Sequence, residues 1–290
     1  MATEDSAKPR QVILPPDKWQ VHDHGRKKYM RTEYAWQFLA TAGISILTGG
    51  CLSGPRVGNA DGVPERHPVQ VAVHAAQPVV VDGKLDDAVW RQAPAYPFCV
   101  PAAASAALAA PVEKGEVRYA WDDTYFYVAA RFTDSDIVAE GKEDGLAQFQ
   151  FGDLLELFLK PVNDTYYWEL YATPLNRQTC YWFPGRGRLG LPSCFAAKAS
   201  GIVVAAQSQG TVNDWRDHDV AWTVEMAIPR AVLTAYGAKF GPGEPWRVLA
   251  ARYNYSRWLP RQGPELSACV PLDQVNYHLL EQYATLVLAP

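Results

Sequence analysis

The side chains best placed to do chemistry lie in a few short segments. In DLLELFLK, which begins at Asp153, Glu156 stands among Leu154, Leu155, Leu157 and Phe158. A carboxylate so surrounded is at least partly buried and needs a partner. It can accept a ligand hydroxyl or form an ion pair with Arg252. Arg252 and Asn254 lie two apart in WRVLAARYNY, on the strand face of Val248 and Ala250, where a polar pair can line a pocket mouth. Trp258 follows in the next loop, and Trp182 with Arg186 lies in YWFPGRGRLG, read as a loop that closes over a ligand. An exposed aromatic ring takes up the C–H face of a sugar and leaves the hydroxyls to polar groups. Asp153 either joins such a site or caps a turn. Asp122, Asp123, Asp134 and Asp136 offer oxygens near loop ends, suited to calcium or to plain turn chemistry.

Catalysis fits these residues less well. A glycosidase needs two carboxylates flanking the scissile bond, about 5–10 Å apart. Asp153 and Glu156, three apart on one strand, point to opposite faces. No nucleophile elbow, HExxH or phosphate loop occurs in the sequence. With 27 basic and 31 acidic side chains the chain has net charge -4, and it lacks the basic surplus of a nucleic-acid binder.

The elements that must hold these residues are strands. Period-two alternation marks VQVAVH from Val69, EVRYAW and YFYVAARF around an Asp122-Asp123 turn, and YYWELYAT from Tyr166. IVVAAQS, DVAWTVEMAI, WRVLAARYNY and YATLVL follow, giving about ten strands with short connections. Helical pattern is confined to DDAVWRQA and PRAVLTAYG. The expectation is an all-β antiparallel β-sandwich, immunoglobulin-like or jelly-roll-like, with one or two short helices. Trp90, Trp121 and Trp222 occupy core positions, and Trp215 a solvent-facing hairpin tip. Met226, with Val224 and Ile228 on its face, is core and not a haem ligand.

Ahead of the strands, AWQFLATAGISILTGG from Ala35 is too short for a comfortable bilayer span and suits a signal-peptide core. Cys51 follows small residues in the manner of a bacterial lipobox, so lipidation of Cys51 is expected, with secretion after cleavage nearby as the alternative. Met30 is a candidate start, and RKKYM from Arg26 a rival twin-arginine reading. Residues 1–50 are thus read as leader, 51–68 as a flexible Gly/Pro-rich tether, and 69–290 as the folded domain in the cell envelope or secreted. Loss of the leader removes seven basic and five acidic side chains, leaving 20 against 26. Besides Cys51, four cysteines then remain, and Cys180 with Cys194 is the favoured of three pairings.

The order of elements resembles the family 9 carbohydrate-binding modules, within a DOMON-like superfamily. VVVDGKLDDAVWRQA resembles their opening strand, Asp-Gly turn and acidic helical turn ending in Trp. VRYAWDDTYFYVAARFTDSD resembles their hairpin, and GDLLELFLKP the strand with Asp and Glu three apart. DVAWTVEMAIP, ARYNYSR and NYHLLEQYATLVL continue the pattern to residue 288. The resemblance implies a domain that binds sugars without cutting them, commonly appended to xylanases and related glycoside hydrolases. It implies Glu156 as a hydroxyl acceptor and Tyr171 at a ligand-contact position. Two Trp side chains sandwich the sugar in such modules. Here the first position holds Phe149, Gln150 and Phe151, and the second falls near Ala268 and Cys269. No cofactor is implied, except that relatives carry calcium. The expected partners are a glycan and possible hydrolases, with the membrane reached by the lipid anchor only.

Overall fold

Gly83 shows how the opening motif is anchored. It adopts φ +81°, and a Cβ there would meet the Ala206 backbone at 2.8 Å, so the turn accepts only glycine. The amides of Asp82 and Gly83 donate to Glu225 Oε2 at 2.9 and 2.8 Å, and Trp90 Nε1 donates to Glu225 Oε1 at 2.7 Å. One buried carboxylate thus ties the turn and the helical Trp to a strand more than 130 residues away.

In this computed structural model, residues 67–101, 110–187 and 201–290 are described. The apolar leader, Cys51, most of the tether and Cys194 lie outside the described residues, and so does the expected Cys180–Cys194 pairing. Contacts divide the chain into residues 1–61 and 62–290, and all described residues belong to the second unit.

Among the described residues are twelve strands: β1 (Val69–His74), β2 (Tyr96–Pro97), β3 (Gly115–Trp121), β4 (Tyr125–Thr133), β5 (Leu154–Pro161), β6 (Tyr167–Ala172), β7 (Gln178–Phe183), β8 (Val203–Gln209), β9 (Ala221–Pro229), β10 (Trp246–Asn254), β11 (Glu265–Ala268) and β12 (Ala284–Leu288). The helices are α1 (Ala88–Gln92) and α2 (Arg230–Thr234), where the sequence placed them. The protein is all-β, a large mixed sheet that nearly closes on itself. Its strand order is β7-β6-β5-β10-β12-β1-β3-β4-β9-β8, with β11 added to β10 and β2 to β3.

Two expectations are corrected. The sheet is not wholly antiparallel, because β1 runs parallel to both β12 and β3. YWF of YWFPGRGRLG is not loop: it forms β7, paired with β6 from Tyr167–Phe183 to Ala172–Gln178. Asp122 makes the expected hairpin turn, its Oδ1 accepting from the amides of Thr124 and Tyr125 at 2.7 Å each.

The core gathers one face from each half of the sheet. Leu155, Leu157, Leu159, Leu170, Val248 and Ala250 come from β5, β6 and β10. Val128, Phe132, Trp222, Val224 and Met226 come from β4 and β9. Trp90, Trp121 and Trp222 are all buried, and Trp215 is 61% exposed, as read from the sequence.

Candidate functional site

The pleat decides which polar residues can meet. In the β5–β10 register Glu156 lies opposite Ala251, while Arg252 lies opposite Leu155. Directly opposed residues share a face and successive residues alternate. Glu156 and Arg252 therefore project to opposite sides of the sheet. Neither the expected ion pair between them nor their convergence with Asn254 forms.

On the core side, Arg252 is engaged with other groups through both terminal nitrogens, while its Nε has no partner. Its guanidinium donates to Asp134 Oδ2 at 2.9 Å and to the carbonyls of Thr133 and Glu113 at 3.0 and 3.1 Å, over the ring of Phe132. Asn254 Nδ2 donates to Glu113 Oε2 at 2.7 Å. Asp153 accepts from the amides of Tyr255 and Val138 at 2.6 and 2.7 Å, binding two loops together. Burial pushes the Asp153 carboxyl well above its usual range, and it pushes Asp134 up to about 6 against the pull of Arg252. Asp136 accepts from the Arg257 amide at 2.8 Å. This cluster holds strand ends and loops in place.

On the opposite side, the register places Glu156, Tyr171 and Thr179 in one row and Phe158, Glu169 and Tyr181 in the next. Glu156 and Glu169 are hydrogen-bonded to each other through their carboxyls, and the Tyr171 hydroxyl donates to Glu169 Oε1. Burial is the main cause that pushes Glu169 up to about 7. It lifts Glu156 further, and the neighbouring Glu169 charge adds to the effect. Two carboxyls in contact cannot both be ionised cheaply, so the pair holds one shared proton near neutral pH. Glu156 Oε2 and Glu169 Oε2 are buried and make no hydrogen bond to a protein donor.

Rings enclose this pair. Phe149, in a 3-10 turn over residues 148–150, lies 6.3 Å from Tyr171 and 5.7 Å from Tyr253 between ring centroids. Tyr181 packs edge-on against Tyr171 at 5.6 Å, and both Tyr181 and Tyr253 remain half-buried. The turn is held over the strands because Thr179 Oγ1 donates to Leu146 O at 2.7 Å. On the far side His278 approaches Glu169 Oε2 to 3.8 Å, with Tyr167 Oη 2.8 Å from His278 Nδ1. Burial pushes the His278 imidazole down to about 4, with Arg186 acting in the same sense, so the ring is neutral. The arrangement encloses the two carboxyl oxygens beneath aromatic rings, of which Tyr181 and Tyr253 reach the surface.

The remaining sequence candidates lie elsewhere. Trp258 is 42% exposed, but its ring is stacked by His218 at 4.0 Å and covered by the Arg257 guanidinium at 4.6 Å. Trp182 lies on β7 with its ring parallel to Tyr236 at 4.3 Å, on the side opposite Tyr181. Phe151 is 37% exposed at the end of the 3-10 turn. Asp122 and Asp123 lie at the β3–β4 turn, apart from the Asp134 cluster, and no group of three His, Cys, Asp or Glu among the described residues is arranged to hold a metal ion.

Glu169, Tyr181, Tyr253 and His278 were not singled out from the sequence. The alternation of YYWELYAT already sets Glu169 beside Tyr171, but only the β5–β6 register brings Glu169 to Glu156. His278 arrives from a loop, for which no periodicity exists.

The family model described as carbohydrate family 9 binding domain-like matches residues 81–182. That segment is family 9-like. It runs from the Asp-Gly turn into β7 and contains both Glu156 and Glu169. Tyr253 and His278 fall outside the family 9-like segment. No curated protein matches the chain. A crystal structure of a candidate carbohydrate-binding protein from Bacteroides uniformis is similar over 77% of this chain and 100% of its own, at 12% identity and TM-score 0.60. It shares the fold. Two structures of a family 9 module from Caldicellulosiruptor kristjanssonii, with cellotriose and with glucose, both give TM-score 0.48. Their identities are 13% and 14%; each match covers 76% of this chain and, respectively, 92% and 96% of theirs.

Proposed function

We propose that the protein is a non-catalytic carbohydrate-binding β-sandwich module, and that the ligand is held on the Glu156–Glu169 side of the sheet. The observation that carries this reading is the pair of buried carboxyl oxygens without a protein donor, beneath Phe149, Tyr181 and Tyr253. Sugar hydroxyls donate to such oxygens while ring C–H surface packs on the rim. The family 9-like segment spanning both glutamates supports the same reading. Carboxyls bonded directly to one another leave no space for a glycosidic bond between them, which supports binding over hydrolysis. Export, with lipidation at Cys51, would hold the module at the cell envelope and let it present glycan to hydrolases.

The test is a glycan array followed by calorimetry, on the wild type and on Glu156→Gln. Binding of a neutral oligosaccharide that weakens at least tenfold in Glu156→Gln, at unchanged melting temperature, supports the site. A blank array with folded protein favours a protein-interaction or structural role.

A further inference from the structure

The Glu156–Glu169 pair lacks a cation on every element that faces it. The sheet order β7-β6-β5-β10 sets Glu169 and Glu156 on the two inner strands, with Tyr181 and Tyr253 on the same face of the outer two. Across the strands, Glu156 has Tyr171 and then Thr179 on one side and Ala251 and then Ala268 on the other. None of these side chains is basic. Tyr277 and Tyr283 add phenols, raised first by burial and in part by the charge of the pair. Among the described residues His278 is the only basic side chain that approaches either carboxyl, at 3.8 Å from Glu169 Oε2, and its ring is neutral. Arg186 acts on His278 from beyond and is itself paired with Glu281.

Rings border the same two carboxyls. Phe149 bridges Tyr171 and Tyr253 at 6.3 and 5.7 Å, and Tyr181 packs on Tyr171 at 5.6 Å. A cation is drawn to an aromatic face when it lies within about 6 Å of the ring centroid. Negative charge reaches the outer rings as well: burial first, and then Glu169 and Glu156, push the Tyr181 phenol up to about 12, and burial followed by the same two carboxyls raises Tyr253. Buried charge without a counter-charge is destabilising. Yet Glu156 and Glu169 are only 3% and 4% exposed, and each keeps an Oε2 that accepts from no protein donor. Carboxylate oxygens beside aromatic faces are the surroundings that select an ammonium group.

We infer that the carboxyl pair and its rings form an ammonium pocket, and that the glycan it takes is an amino sugar. The ammonium N–H groups donate to Glu156 Oε2 and Glu169 Oε2 in charge-assisted hydrogen bonds. Entry lies past Tyr181 and Tyr253, the rings that reach the surface, and these close on the C–H surface of the sugar. With one proton shared between the two carboxyls, the pair carries one negative charge, which one ammonium neutralises. The assignment of the cation to a sugar rests on the carbohydrate reading proposed above.

The experiment uses the full chain and calorimetry with glucosamine oligosaccharides, each beside its N-acetylated form and its neutral hydroxyl counterpart. At about pH 7 the amino form should bind at least tenfold tighter than either counterpart. The advantage should shrink at about pH 5, where the pair takes up a second proton while the amine stays charged. The double variant Glu156→Gln/Glu169→Gln keeps the shape of the pair and removes its charge. With its melting temperature checked, its ratio of amino to neutral affinity should collapse towards one at both pH values. Should that variant misfold or bind neither form, the wild-type pH series decides. Equal affinities for the three forms overturn the ammonium pocket and leave the carbohydrate reading standing, as does an amino preference that neither pH nor the double variant alters. Failure of every glycan to bind overturns both. Tighter binding of a trimethyllysine peptide than of any amino sugar reassigns the pocket to a protein ligand and overturns the inference.

Discussion

The two sides of β5 and β10 each bury acidic groups, and they treat them in opposite ways. On one side Arg252 is inserted among Asp134, Glu113 and the carbonyl of Thr133, so that charge is matched by charge inside the core. On the other, Glu156 and Glu169 have only one another, a proton and Tyr171. Burial of both kinds is expensive unless satisfied. The first cluster matches carboxylate with cation, leaving only Arg252 Nε and Asn254 Oδ1 without a partner, and therefore builds structure. The second buries two carboxyls with no cation beside them, and its Glu156 Oε2 and Glu169 Oε2 lack a protein donor.

The strongest way to break this contrast is Arg252→Met. It should cost about 3–5 kcal/mol, because buried Asp134 and Glu113 lose their cation. Urea unfolding measures it, and a loss under about 1 kcal/mol would mean that the cluster is not structural. Glu156→Gln should do the reverse. It should change stability little, since the amide can still bond Glu169, and should weaken oligosaccharide binding by about 1.5–3 kcal/mol, the usual worth of a hydrogen bond to a charged group.

A pH series sharpens the comparison further. Glu169 rises from an ordinary 4.5 to about 7 on folding. Between these values the folded carboxyl keeps a proton that the unfolded chain has lost. Its stabilising contribution is therefore full below about 4.5 and is lost as pH rises towards 7. Asp134, raised to about 6, acts in the same sense, whereas His278, lowered from 6.5 to about 4, acts oppositely between those two values. Glu169→Gln removes the first contribution, together with the part of the Glu156 shift that the Glu169 carboxyl causes. Relative to that variant the wild type should lose up to about 1.4 kcal/mol per pH unit within the window. Parallel stability curves for the two proteins would show that Glu169 does not hold the proton.

Trp258→Ala should have the smallest effect, about 0.5–1 kcal/mol of stability from the lost Arg257 contact. Because Trp258 follows Ser256 and Arg257 next to Asp136, it belongs with the Arg252 side. A tenfold fall in sugar affinity on its removal would move the site to that side.

Much of this was legible in the sequence. Alternation and one apolar run located nine of the strands, and the isolated Glu156 in that run pointed to a buried carboxyl. The face on which Arg252 projects was also readable, from Val248 and Ala250. Alternation within one strand says nothing about register between strands, however, and register alone separates Arg252 from Glu156 and joins Glu169 to it. The short strands β2 and β11 carry too few residues to show a period. In β7, Pro184 and three nearby glycines obscured an aromatic strand end.

Strand β1 lies in the middle of the sheet, parallel to β12 on one side and β3 on the other. A pull delivered along the chain ahead of His67 thus enters at an interior strand. It must shear two rows of backbone hydrogen bonds together, whereas an edge strand would peel away one bond at a time. Force applied at this end meets the mechanically strong direction of the sheet.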